Sequence, residues 1–175
     1  VLSGETEALA IIADNIPGSI KLNTSHGFHS QLMDPVLADF GAVSRGLELH
    51  DISIPYVSNL TGDYITAADL SSGSYWQEHL RSTVRFAASI ETFLTDNSFV
   101  CIELGVGKVL SRMVSSIENQ GSSELKPAVK IEGLRLDTSP EDIDGYFLNR
   151  LGMAWAAGIN LDWDAYYEDR SEQFQ

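Results

Sequence analysis

The sequence predicts an α/β fold, α+β in part, and three observations carry that reading. The chain opens on alternating strand-like and helix-like apolar patterns. Residues 99–104 form an apolar run that passes through Gly105-Val106-Gly107 into a helical pattern, as a buried strand feeding a helix does. Hydrophobic residues make up 43% of the 175, enough for a packed core and too many for a disordered chain.

The elements follow in order. Val1-Leu2-Ser3 reads as a short strand ending at Gly4. Residues 5–16 read as a helix, with Ala8, Leu9, Ile12 and Ile16 at helical spacing and Pro17-Gly18 as its stop. Residues 19–24 alternate as a strand, with Ile20 and Leu22 inward. Pro35 fits the first turn of a helix running to about Leu47, its apolar face made by Val36, Leu37, Phe40 and Val43. Residues 52–59 read as a strand carrying Pro55, turned by Leu60-Thr61-Gly62-Asp63. Residues 74–95 are helical with a break near Thr83, residues 99–104 a buried strand, and residues 108–118 a helix. The Ser- and Gly-rich stretch 119–127 is the internal boundary, followed by a strand over 128–136. Ser139 as N-cap and Pro140 at the first position start a helix that reaches about Ala157. The tail Asp162-Trp163-Asp164-Ala165-Tyr166-Tyr167 is acidic and aromatic, and is expected to dock on the body.

Charge and composition exclude several function classes. The 25 acidic and 11 basic residues give a net charge of -14, which argues against a nucleic-acid surface. A small anionic substrate stays open, because one placed arginine can outweigh the global field. The single cysteine, Cys101, leaves no internal disulfide and fits a reducing cytoplasm. No apolar run approaches the roughly 18 residues of a membrane span. Val1 begins directly in an apolar segment with no initiator Met and no signal-peptide pattern, so the start reads as cut from something longer.

His26 and His29, two of four histidines, fall three residues apart in a short polar turn before a helix. A histidine at such a junction can serve as a general base, and His29 is the candidate. Capping the turn is the commoner role for such a pair. Metal binding is weaker still, because no Cys or Glu nearby completes a ligand set. Gly105-Val106-Gly107-Lys108 could turn backbone N–H groups toward a phosphate, but it lacks the Walker A spacing and has Leu110 where a dinucleotide fingerprint has its third glycine. A tight strand-to-helix turn is the better reading. A Gly-x-Ser-x-Gly nucleophile elbow is absent, since Ala42 replaces the first glycine ahead of Val43-Ser44-Arg45-Gly46. Cys101 sits in an apolar run that disfavours a thiolate. Arg81 and Arg85, four apart on one helix, could pair with acids or a carboxylate, although a solvated face is the usual outcome.

With those residues in view, the chain resembles the acyltransferase domain of modular polyketide synthases and, more distantly, malonyl-CoA:acyl-carrier-protein transacylases. Ser25-His26-Gly27-Phe28-His29-Ser30-Gln31-Leu32-Met33-Asp34-Pro35 is similar to the family's Ser-His-Ala-Phe-His-Ser-Pro-Leu-Met-Glu-Pro segment. Ile54-Pro55-Tyr56-Val57-Ser58-Asn59-Leu60-Thr61-Gly62 resembles its next strand and turn. Tyr75-Trp76-Gln77-Glu78-His79-Leu80-Arg81 with Val84-Arg85-Phe86 resembles Tyr-Trp…His-Leu-Arg-x-Pro-Val-Arg-Phe, with Thr83 in place of the proline. Ile102-Glu103-Leu104-Gly105-Val106-Gly107-Lys108-Val109-Leu110 resembles Glu-Leu-Gly-Pro-Gly-x-Val-Leu, with Val106 in place of the proline. Trp155-Ala156-Ala157-Gly158-Ile159-Asn160-Leu161-Asp162-Trp163 resembles the linker after the acyltransferase.

The resemblance implies the C-terminal half of such a domain. It assigns residues 1–50 to a ferredoxin-like small subdomain, 51–120 to the returning part of an α/β-hydrolase-like large subdomain, and 121–175 to the linker. It implies transfer of a malonyl extender unit from malonyl-CoA, through a seryl ester, to the phosphopantetheine thiol of an acyl carrier protein, with no bound cofactor and no metal. His29 is then the general base, and the backbone carbonyl of His79 orients it. His26, Gly27 and Phe28 are the extender-selectivity signature. A bulky Phe28 disfavours an extra α-methyl, and Gly27 in place of Ala enlarges the site slightly. Trp155, Trp163 and Tyr166 are docking anchors. The serine elbow and the carboxylate-binding arginine belong upstream, so the fragment alone is expected to be inactive. The implied partners are the carrier protein, the upstream acyltransferase half and ketosynthase-side domains, with neither nucleic acid nor membrane. The alternative is a non-catalytic binding or scaffold piece that contacts carrier protein or neighbouring domains. An unrelated α/β-hydrolase-like enzyme using His29 ranks below both. A cut surface is expected to expose Phe99, Ile102 and Leu104.

Overall fold

The computed structural model describes residues 1–96, 99–120, 128–133 and 142–168. The chain divides into two compact units, Val1–Thr92 and Phe93–Gln175. The elements run α1 (Thr6–Asp14), a 3₁₀ segment (Gln31–Val36), α2 (Leu37–Arg45), α3 (Ala67–Ser71), α4 (Tyr75–Arg81), α5 (Phe86–Asp96), β1 (Val100–Ile102), α6 (Val109–Gln120), β2 (Val129–Ile131), α7 (Ile143–Ala156) and α8 (Trp163–Glu168). The result is a helix-rich α/β architecture with a small parallel sheet.

In the first unit, α4 packs on α2, on α3 and on the 3₁₀ segment. Its local structure follows from short-range chemistry. Ser30 caps the 3₁₀ segment, its hydroxyl accepting from the Leu32 N–H at 3.2 Å. Pro35, which donates no N–H, sits inside that segment and not in an α-helix, so the long helix expected from Pro35 begins only at Leu37. Thr66 and Asp69 form a capping box that starts α3, a helix the sequence reading passed over. The expected break near Thr83 is real, since α4 stops at Arg81 and α5 starts at Phe86. Met33, Ser58, Ile65 and Tyr75 are buried together with Ser44 and Ser89. Ser58 and Tyr75 share a buried hydroxyl–hydroxyl bond of 2.7 Å.

Three expected strands do not form. Residues 1–3 and 19–24 have no ladder partner, and 52–59 contributes only one antiparallel bridge, Val57 to Tyr64. Alternation sets which side chains could face a core, but a strand also needs a neighbour to accept its backbone bonds. Here Ile20 and Leu22, expected inward, are 84% and 57% exposed. The apolar stripe of α1 is likewise exposed at Ile12, with no residue of the helix buried.

The second unit builds its core on the parallel pair β1–β2, in register Val100 to Val129 and Ile102 to Ile131, with α7 packed on β2. Leu94, Val114, Ile131 and Ala154 are buried. Ile102 and Leu104 are exposed, as expected of them, whereas Phe99 is half-buried against the Phe93 ring. Of the boundary expected at 119–127, Asn119 and Gln120 instead continue α6, and the rest of it, the strand residues past 133 and the helix start at Ser139-Pro140 lie outside the described residues. α7 itself ends at Ala156, close to the expected position.

Candidate active site

His29 has a positive φ of 60°, the one non-glycine residue of the described chain in that region. A non-glycine side chain there costs about 1–2 kcal/mol, so surrounding bonds must hold it. Those bonds all go to the end of α4. The His29 N–H donates to the Leu80 carbonyl at 3.1 Å. The ring Nδ1 donates to the carbonyls of His79 and Ser82, both at 3.0 Å. A helix leaves its last carbonyls without intrahelical partners, and one histidine satisfies those of His79 and Leu80, and that of the cap residue Ser82, with its ring and its backbone.

The consequence for the ring is direct. Carbonyl oxygens only accept, so Nδ1 must carry the proton, and the neutral ring keeps its lone pair on Nε2.

The half-buried His79 ring meets His29 edge-on at 5.7 Å, lies over Tyr75 at 6.1 Å and touches Trp76 at 6.3 Å. Burial, and then the charge of His29, push its pKa below the usual 6.5. Two polar bonds fix α4 in place. Arg81 Nε pairs with Asp34 of the 3₁₀ segment. Gln77 Nε2 donates to the Leu37 carbonyl at 2.8 Å. Arg81 is therefore an ion-pair partner, while Arg85 is exposed.

His26 does not join His29. Its Nδ1 meets the Ser25 hydroxyl at 2.9 Å, and its ring lies 5.8 Å from that of the exposed Phe28. Among the described residues, no group of three His, Cys, Asp or Glu side chains could hold a metal. A Cβ on Gly27 would fall 2.7 Å from Leu32 Cδ1, so the space vacated by the missing methyl is filled by Leu32 and not opened.

The other sequence candidates have structural employment. Ser44 is buried and its hydroxyl donates to the Phe40 carbonyl at 2.6 Å. Burial raises the Cys101 thiol pKa, Glu118 adds to it, and Lys130 opposes it. The N-terminus of α6 is occupied by this chain's own Glu103, whose carboxylate accepts from Leu110 N–H, Ser111 N–H and the Ser111 hydroxyl. The glycine turn thus leads into a self-capped helix. Sequence reasoning missed the carbonyls of Leu80 and Ser82 and the left-handed backbone of His29. A backbone carbonyl carries no residue-type signal, so nothing in the sequence marks the first two.

The chain is 33% identical over 171 residues to the polyketide synthase GfsA of Streptomyces halstedii, a match that covers 95% of the chain and 2% of the synthase. It is 31% identical over 169 residues to the mycoketide-CoA synthase of Mycobacterium tuberculosis, covering 94% of the chain and 4% of that protein. Among solved structures, the acyltransferase domain of the second module of the salinomycin polyketide synthase matches with a TM-score of 0.73 at 35% identity, over 98% of the chain and 39% of the domain. The malonyl CoA-acyl carrier protein transacylase of Burkholderia pseudomallei matches with a TM-score of 0.57 at 27% identity, over 69% of the chain and 44% of the enzyme. No family model matches. The chain spans a small share of each synthase and about two fifths of the domain. In sequence and fold alike, it belongs with the acyltransferase domains of polyketide synthases and corresponds to part of one.

Proposed function

We propose that the chain supplies the general-base side of an acyltransferase that moves malonyl units from CoA to the phosphopantetheine thiol of an acyl carrier protein. The observation that carries the reading is the clamp on His29, with Nδ1–H held by the carbonyls of His79 and Ser82 and Nε2 left as the basic nitrogen. The reacting serine is contributed by a Gly-His-Ser-x-Gly elbow outside these residues. His29 Nε2 takes the serine proton as the serine oxygen attacks the thioester carbonyl, then returns that proton to the departing CoA thiolate. In the second half, Nε2 deprotonates the carrier thiol, the thiolate attacks the seryl ester, and the proton returns to serine. His79 acts through its carbonyl as a positioning residue, not as a proton carrier.

Selectivity falls to the turn at His26, Gly27 and Phe28. Phe28 narrows the space beside the α-carbon, and Leu32 fills the volume beside Gly27. One methyl is worth only about 1–3 kcal/mol of discrimination in a pocket. In this reading residues 1–50 are the small subdomain, 51–120 the returning part of the large one, and 121–175 the linker. The exposure of Leu104 at 91%, and of Ile102 and Val129, supports coverage by the rest of the domain. The same exposure suits the second reading, a binding piece without catalysis.

The test mixes this chain with an upstream half that carries the serine elbow and follows acylation by labelled malonyl-CoA. Acylation that is lost in His29→Ala and weaker with methylmalonyl-CoA supports the proposal. Association of the halves with acylation unchanged in His29→Ala overturns the catalytic role and leaves the binding reading.

A further inference from the structure

The second unit contains a cavity of about 370 Å³ whose walls come from α6, β2 and α7. In a chain of net charge -14, those walls bring together three cations, Arg112, Lys130 and Arg150, with one acid, Glu132. Arg150 is held in place without being satisfied. Its guanidinium lies 4.5 Å over the Tyr146 ring, and Nη1 is 3.4 Å from the Met153 sulfur. Tyr146 is itself anchored, its hydroxyl donating to the Gly133 carbonyl at 2.9 Å. Arg150 Nε is fully buried and has no hydrogen-bond partner. A ring face and a thioether are poor substitutes for an oxygen acceptor. A buried donor left unmet is costly, so a guanidinium fixed this way calls for an acceptor.

The remaining polar groups of the wall are already used. Lys130 is paired with Glu118. The Ser111 hydroxyl donates to Glu103, and the Ser115 hydroxyl to the Ser111 carbonyl. What remains for a ligand is Arg112 and Arg150, opposed by Glu132. Two guanidiniums against one carboxylate leave one net positive charge, and guanidinium is the group that best matches an oxyanion. The geometry points to an oxyanion site in which Arg112 and Arg150 hold a phosphate-class anion and Glu132 limits its affinity. The site is independent of the chemistry assigned to His29.

The probe is inorganic phosphate, titrated into the chain near neutral pH at constant ionic strength against chloride. The readout is the Arg150 Nε–H resonance in a ¹⁵N correlation spectrum. A saturable shift with phosphate, absent with chloride and lost in Arg112→Gln, is expected. Glu132→Gln should tighten binding about tenfold, the effect of one removed charge at short range. Arg150→Lys keeps the charge and loses the guanidinium fork, and should weaken binding, read from the Arg112 Nε–H resonance, while the chain stays folded. An equal response to chloride, a non-saturating shift, or binding unchanged in Arg112→Gln overturns the site. Affinity unchanged in Glu132→Gln does so as well.

Discussion

The Nδ1 of His29 donates to the carbonyl oxygen of His79 at 3.0 Å across 50 residues of sequence, and the two rings meet edge-on at 5.7 Å. His79 thus supplies both the oxygen that holds His29 and an imidazole beside it. Two imidazoles at this range resist being charged together, which adds to the burial that keeps His79 neutral.

This coupling makes the stability of the chain depend on pH in a stated direction. The folded-state pKa of His79 lies below its ordinary 6.5, so just below that pH the unfolded chain binds more protons than the folded one. The stabilisation is fully present above pH 6.5 and is lost as pH falls through the folded-state value. Urea midpoints should therefore drop between about pH 7.5 and about pH 5.5. His79→Gln, which keeps the backbone carbonyl, should flatten that dependence. An equal slope in wild type and variant would contradict the burial argument.

At the start of α6 the sign of the acid effect is set by Glu103. Desolvation raises its pKa, but the bonds from Ser111, Leu110 and Val109 outweigh that and bring it below the ordinary 4.5. Its stabilisation is present above pH 4.5 and lost as pH falls below it. Glu103→Ala should cost about 1 kcal/mol at neutral pH, the worth of a helix cap, as measured by chemical denaturation. The deficit should shrink in acid, where the wild-type carboxylate is itself protonated.

Among the described residues, Gly62 is the glycine whose left-handed backbone and neighbours both exclude a side chain. Its φ is +80°, and an added Cβ would lie 2.7 Å from the Ala88 Cβ, a contact between two groups with no freedom to turn aside. Its N–H donates to the Ser58 carbonyl and its carbonyl accepts from the Thr92 hydroxyl. Gly62→Ala should cost about 2–4 kcal/mol, from the left-handed backbone and the overpacking together. Gly73→Ala, with a φ of +73° and open space around it, should cost only the backbone part. Equal denaturation midpoints for the two variants would refute the packing contribution.

What the sequence made legible was local. The break between α4 and α5, the helix after the glycine turn and the position of His29 beside a helix start all follow from punctuation and periodicity within a dozen residues. The strands expected at 1–3, 19–24 and 52–59 failed because a strand is a pairwise object, and Ile20 and Leu22 alternate as strand residues whether or not a neighbour is present. The His79 carbonyl was reached by family resemblance. The Leu80 and Ser82 carbonyls were not reached at all, because any residue type presents the same oxygen. The left-handed turn at His29 was hidden for a related reason. Glycine is the usual marker of that backbone, and here α4's carbonyls hold a histidine in it.

The central claim is that α4 holds His29 with its proton on Nδ1 and its lone pair on Nε2. Long-range ¹H–¹⁵N correlation spectra of the ring at a pH where imidazole is neutral report that tautomer directly. The account predicts a single Nδ1–H form for His29, with Nδ1 at a pyrrole-like nitrogen shift and Nε2 at a pyridine-like one. An Nε2–H form, or the averaged shifts of a ring exchanging freely between tautomers, would contradict it.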